Sequence, residues 1–241
     1  LVGSEMCIRD SSYPAYWKTE LLKKGIRREV NAIGGPCTSY ELVFHDQTEV
    51  AFCGKDTAVI KMMKEAMQTS YYHISTTNDV IGLESAVALK NAYALGIALT
   101  IGLVNRQHGA EAGLHYNSQA GAFYQATKEM TKLLRLQGAD EDSTVLGIGD
   151  LYVTVYGGRT RKIGILLGEG KTYEEALDIL AGVTLESLVV ARRVAKAIYR
   201  KAELGMVNLT DFPLMTHVND VLDHGKDAEL PWDSFTFDNT K

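Results

Sequence analysis

"NDVIGLESAVALKNAYALGIALTIGLVNRQ", residues 78–107, is the stretch on which the fold turns. An Asn/Asp pair suited to capping opens it, and beyond that it is apolar nearly all round, the mark of a helix buried at the centre of a bundle. Its run from Ala86 to Val104 approaches the length of a bilayer span. Lys90 and Asn91 argue against a membrane: a mid-helix lysine costs roughly 2.5 to 3.5 kcal/mol on insertion scales, and the flanks lack an aromatic belt or a basic cluster. The segment therefore reads as the core helix of an all-helical domain.

Upstream the pattern is different. Glu29 to Ile33 and Glu49 to Cys53 are short runs rich in Val, Ile, Ala and Phe between turn signals, as strands are. "DTAVIKMMKEAMQ" (56–68) spaces Val59, Met62, Met63 and Met67 along one helical face, with Asp56 as N-cap, and "SYYHIST" (70–76) is a third strand-like run. Strand, strand, helix, strand is the signature of the end of an α/β sheet. Downstream, helices are expected from about Asn117 to Gln137, Thr172 to Leu180, Leu185 to Glu203 and Pro213 to Leu222, with Gly138, Gly170 and Gly205 where helix ends fall. The α/β part gives way to the helical part near Asn78, and residues 226–241 read as an irregular tail.

The chain has a net charge of −5, with 23% charged and 46% hydrophobic residues, which describes an ordinary globular protein and argues against nucleic acid as the main partner. Of its three cysteines, Cys37 and Cys53 lie outside the first eleven residues and neither shows CxxC or Cys/His ligand spacing. No metal site is expected, and a reducing cytoplasm fits. The opening "LVGSEMCIRDS" (1–11) lacks a starting Met and the layout of a secretory segment. Back-translated with permitted codons it spells a transposase-type sequencing adapter, so residues 1–11 are expected to be adapter-derived and the native N-terminus to lie upstream of this sequence.

Three stretches are suited to chemistry. Lys90 is a cation on an apolar helix, followed by the amide of Asn91. A lysine taken out of water becomes a usable proton donor or acceptor near neutral pH, whereas one at a helix edge snorkels to the surface. "GIGDLYVTVYGGRTRKIG" (147–164) reads as a glycine-rich loop: Asp150 supplies a charge able to pair with Lys90, and Arg159, Thr160, Arg161 and Lys162 gather donors after a Gly-Gly turn, as a phosphate site or as a capped turn with a solvated basic face. "GGPCTSYEL" (34–42) follows a strand and lets backbone approach a ligand. No GxGxxG fingerprint occurs in the sequence.

Taken in order with "ALKNAYALG" (88–96) and "GVTLES" (182–187), these stretches resemble the NAD(P)-dependent glycerol-3-phosphate dehydrogenases from about Val30 to Leu222. The resemblance implies the α/β end of a Rossmann-type nucleotide-binding domain (residues 12–77), followed by an all-α substrate domain (78–225) like the helical bundle at the C-terminus of 6-phosphogluconate dehydrogenase. It implies interconversion of dihydroxyacetone phosphate and sn-glycerol 3-phosphate with NAD or NADP. Lys90 matches the catalytic lysine and Asp150 the acid beside it. Asn91 and Thr154 match neighbouring polar contacts. Gly158, Arg159 and Thr160 match the phosphate loop, Arg159 also touching the cofactor. Gly35 and Cys37 would approach the substrate, and Ser39 and Glu186 the cofactor.

Two positions depart from the family pattern: Thr160 stands where Asn is usual, and Cys37 where bacterial members often have Thr. Thr160 prompts a second reading, a dehydrogenase for another small phosphorylated polyol, and a third is a non-catalytic helical dimerisation module. The cofactor-binding glycines and a second lysine are expected upstream of Ser12, so the chain alone is expected to be inactive. A small phosphorylated substrate is the expected partner, with no membrane insertion and with a homodimer left open.

Overall fold

The computed structural model describes residues 13–110, 113, 115–183 and 185–236. The expectation about residues 1–11 thus lies outside the described residues. The elements run α1 (Tyr13–Lys23), β1 (Ala32–Gly34), α2 (Ser39–Val43), β2 (Thr48–Cys53), α3 (Thr57–Met67), β3 (Tyr72–Thr77), α4 (Val80–His108), α5 (Tyr116–Leu136), α6 (Glu141–Tyr156), α7 (Gly158–Gly168), α8 (Tyr173–Ile179), α9 (Glu186–Glu203) and α10 (Pro213–His224). A small sheet followed by helices is the expected fold class. The chain divides into two compact units, Leu1–Lys90 with Thr131–Val153, and Asn91–Met130 with Thr154–Lys241.

In the first unit the sheet has the order β1-β2-β3. β2 pairs antiparallel with β1 (Ala32 opposite Cys53) and parallel with β3 (Thr48 opposite Tyr72, Cys53 opposite Thr77). Alternate β2 side chains are covered on both faces. Val50 and Phe52 pack with Ile60 of α3 and Ile74, while Ala51 and Cys53 pack with Leu83 and Leu146. A strand buried on both faces reads as a continuous apolar run, which is why "EVAFC" shows no alternation. Burial also pushes the Cys53 thiol up to about 12. Asp56 caps α3 as expected, its carboxylate accepting from the backbone N–H groups of Ala58 (3.0 Å) and Val59 (3.3 Å). Between α2 and β2 the chain turns at His45, whose φ of 63° is uncommon for a side chain of this size. Its ring stacks on Tyr71, centroids 4.2 Å apart.

α4 is apolar because protein surrounds it: 72% of its most apolar window is buried. In the second unit its distal half meets α7 through glycines. A Cβ built on Gly164 would lie 2.5 Å from Ala98 Cβ and 2.9 Å from the Leu95 carbonyl, so the two backbones pack in contact. α8 opens with a reciprocal capping box, Thr172 with Glu175. α9 is held to α10 by Arg192, which donates to Asp223 (2.6 Å) and to the Tyr173 hydroxyl (3.0 Å).

Two stretches differ from their sequence reading. Residues 147–156 are helix, the second half of α6, and the expected loop shrinks to the break at Gly157–Gly158. Leu151 and Val155 are buried on one face of that helix, and this packing outweighs the roughly 1 kcal/mol that each interior glycine costs. Residues 226–236 of the tail form no α-helix or strand yet are packed. Ala228, Leu230 and Phe235 are buried, and Trp232–Ser234 forms a 3₁₀ turn.

Candidate functional site

Lys90 lies about three turns into α4, and Asp150 sits midway along α6. Within the first unit they meet: Lys90 Nζ donates to Asp150 Oδ1 at 2.5 Å, with side-chain exposures of 19% and 3%. The lysine thus keeps a face toward solvent while its partner does not. Asp150 is pushed above the usual carboxylate range because burial outweighs the opposing pull of Lys90, first its charge and then its hydrogen bond, and of the Gly35 backbone N–H. An ammonium held by a buried carboxylate at the edge of water can give a proton to a bound oxygen and take it back.

Gly35 and Cys37 belong to the same unit. Gly35 follows β1 with φ 130°, a conformation that disfavours any side chain. A Cβ there would lie 3.1 Å from Val50 Cα, so glycine lets the turn pass close over β2. Cys37 is exposed, and its thiol is raised by desolvation and by the Asp150 charge, with Lys90 pulling the other way. Ser39 is exposed at the first position of α2.

The remaining candidates belong to the second unit. Asn91 and Thr154 are half-buried, on α4 and α6. Gly157 is the N-cap of α7, and Gly158 opens the helix with φ 82°. Arg159 is exposed in the first turn and Thr160 is 8% exposed beside it. Backbone N–H groups at a helix start with an adjacent arginine suit a phosphate. Arg161, grouped with these donors by sequence, turns back instead and donates to the Val155 carbonyl at the end of α6 (3.1 Å). Glu186 is exposed at the start of α9.

Sequence reasoning overlooked Glu129. It is fully buried on α5, accepting from the backbone N–H groups of Leu214 (2.7 Å) and Met215 (3.0 Å) at the start of α10 and from Gln125 (2.8 Å). Burial raises it to about 7 against the pull of those donors. The signal was present: Glu129 falls on the stripe of Ala122, Ala126 and Leu133, where a helix of this period faces its core.

The C-terminus of NAD-dependent glycerol-3-phosphate dehydrogenase matches residues 79–232. The NADP(+)-dependent glycerol-3-phosphate dehydrogenase of Archaeoglobus fulgidus is 33% identical over 168 residues, 69% of this chain and 48% of the relative. The glycerol-3-phosphate dehydrogenase [NAD(P)+] of Staphylococcus epidermidis is 29% identical over 231 residues, 88% of this chain and 65% of the relative. The chain spans about half to two thirds of the length of these relatives. In fold it is similar to the glycerol-3-phosphate dehydrogenase of Coxiella burnetii, with a TM-score of 0.68 and 23% identity over 85% of this chain and 58% of the other. It is also similar to the enzyme of Plasmodium falciparum, with a TM-score of 0.75 and 19% identity over 100% of this chain and 63% of the other. With more than half of its residues matched in this way, the chain belongs to the NAD-dependent glycerol-3-phosphate dehydrogenase family, whose C-terminal domain it carries.

Proposed function

We propose that this chain is the substrate-handling part of an NAD(P)-dependent oxidoreductase that interconverts dihydroxyacetone phosphate and sn-glycerol 3-phosphate in a reducing cytoplasm. Residues 12–77 are the end of the nucleotide-binding domain, and residues 78–225 are the substrate domain. The pairing of half-buried Lys90 with Asp150 is the observation that carries this reading.

Reduction of the ketone builds negative charge on its oxygen, and a positioned donor must meet it. Lys90 spends one N–H on Asp150 and has two others for that oxygen. Asp150 holds the ammonium in place, and in the reverse direction Lys90 receives the proton. Asn91 and Thr154 orient the hydroxyls. The phosphate rests on the start of α7, with Gly158 giving backbone access and Arg159 and Thr160 donating. Gly35 and Cys37 line the approach of the substrate.

The hydride would come from a nicotinamide cofactor. Ser39, Arg159 and Glu186 are exposed, as contact with such a ligand requires. They fit only the edge of a dinucleotide, because no GxGxxG turn occurs in the sequence to cradle its pyrophosphate. This chain contributes proton transfer and the binding of the substrate phosphate.

Thr160 favours a second reading, in which the substrate is another small phosphorylated polyol; comparing full-length turnover on dihydroxyacetone phosphate and other phosphorylated ketoses separates the two. A pure packing module gains nothing from a buried carboxylate paired to a lysine, which weighs against a non-catalytic role. The test is Lys90→Ala in the full-length enzyme. Turnover on dihydroxyacetone phosphate is expected to fall by at least about a hundredfold, while circular dichroism stays unchanged. Retained turnover would remove Lys90 from the mechanism. This chain by itself is expected to show no NAD(P)H oxidation.

A further inference from the structure

We infer that Asp79 is a positioning residue that sets the register of α4 against α6, and through it the meeting of Lys90 with Asp150. The inference rests on the proposed function for its link to catalysis, but its geometry is independent of that reading.

The Asp79 carboxylate serves two helices at once. Oδ1 accepts from the Gly82 backbone N–H (2.8 Å) in the first turn of α4, and Oδ2 accepts from the Asp140 backbone N–H (2.9 Å) immediately before α6. Asp140 in turn accepts from the Ser143 N–H (2.7 Å) and so caps α6. Thr77 closes the ring: its hydroxyl oxygen accepts from the Asp79 N–H (3.0 Å), and its hydroxyl donates to the Asp140 carboxylate (3.3 Å). Gly82 leaves room for the carboxylate. A Cβ there would lie 2.6 Å from Asp79 Cγ and 2.8 Å from Ala139 Cβ.

The two helices therefore start side by side and run in the same direction. Lys90 stands eleven residues beyond Asp79, and Asp150 stands ten beyond Asp140. At 1.5 Å per residue both lie roughly 15 Å along. A ruler of this kind converts one capping residue into the alignment of two distant side chains. A slip of one turn, about 5.4 Å, would separate them altogether.

The test uses the chain as it stands, with the Asp150 carboxyl carbon followed by NMR through a pH titration. Asp79→Ala is expected to shift the Asp150 midpoint upward by about one unit or more, as the Lys90 charge is withdrawn. Asp56→Ala removes a comparable cap from α3 and is expected to leave that midpoint alone, because a purely structural loss does not move it. Should Asp79→Ala fail to fold, Asp79→Asn retains the acceptor for Gly82 and cuts the tie to Asp140, with the same upward shift expected. An unmoved midpoint in the folded variant, or an equal shift in Asp56→Ala, would overturn the inference. In the full-length enzyme Asp79→Ala is expected to lower kcat by tenfold to a hundredfold, roughly. A shifted midpoint with unchanged kcat would leave Asp79 as the ruler and instead refute the catalytic role of the pair.

Discussion

Removing either partner of the Lys90–Asp150 pair breaks the same hydrogen bond, yet the two losses should differ in size. At an effective dielectric near 20, opposite charges at this range attract by about 4 kcal/mol before desolvation is counted. Asp150 is 3% exposed and Lys90 19%. Lys90→Met strands a carboxylate that has little water to turn to, and losing one partner of a buried pair costs about 3–5 kcal/mol. Asp150→Asn instead leaves a lysine that can lean its ammonium into solvent, and should cost about 1 kcal/mol. The expected difference of about 2–4 kcal/mol corresponds to roughly 4–16 °C in Tm for a chain of this size. Urea and thermal unfolding at pH 7 measure it. The sign with pH follows from the raised carboxyl. Its stabilising contribution is fully present below its unfolded value of 3.8 and is lost as pH rises through the folded value, so Lys90→Met should steepen that loss. The double variant Lys90→Met/Asp150→Leu should recover most of the stability, since an apolar pair carries no desolvation cost. Equal losses for the two single variants, or a larger one for Asp150→Asn, would refute the assignment of Asp150 as the buried partner.

Other perturbations test the frame around the pair. Gly164→Ala forces α7 away from Ala98 and Leu95 and should cost about 1–3 kcal/mol despite the better helix propensity of alanine; a neutral result in urea unfolding would contradict the close α4–α7 contact. Glu129, raised from 4.5 to about 7, contributes stability that is present below pH 4.5 and lost as pH rises to about 7, worth about 3 kcal/mol. Glu129→Gln should flatten that slope in unfolding curves taken across the window. His217 is buried with its Nε2 against the Ala228 carbonyl (3.3 Å), and burial holds it below 6.5. Protection of residues 226–236 in hydrogen exchange, corrected for intrinsic rates, should therefore fall as pH drops below 6.5, and His217→Gln should abolish the dependence.

Local physics was legible along the chain. β2 was readable as a short apolar run between turn signals, α3 by its helical period, and the Asp56 cap because its hydrogen bonds reach only two and three residues onward. The glycine-rich stretch misled for the same reason. Gly147 and Gly149 lower helix propensity locally, whereas the burial of Leu151 and Val155 that holds α6 together involves distant residues. α1 and the short α2 were missed because neither has a long enough pattern of its own.

The sequence alone determined that a lysine on an apolar helix and an acid sixty residues away were available to each other, and that an arginine followed a glycine break. Tertiary structure decided the rest. It made Asp150 the buried partner and Lys90 the half-buried one, turned Arg161 away to cap α6, and set Glu129 beneath α10. Charge, propensity and spacing are properties of residues and their neighbours in the chain. Desolvation and hydrogen-bond supply depend on which segments close over a side chain, and those segments can lie far along the chain, 85 residues apart for Glu129 and Leu214.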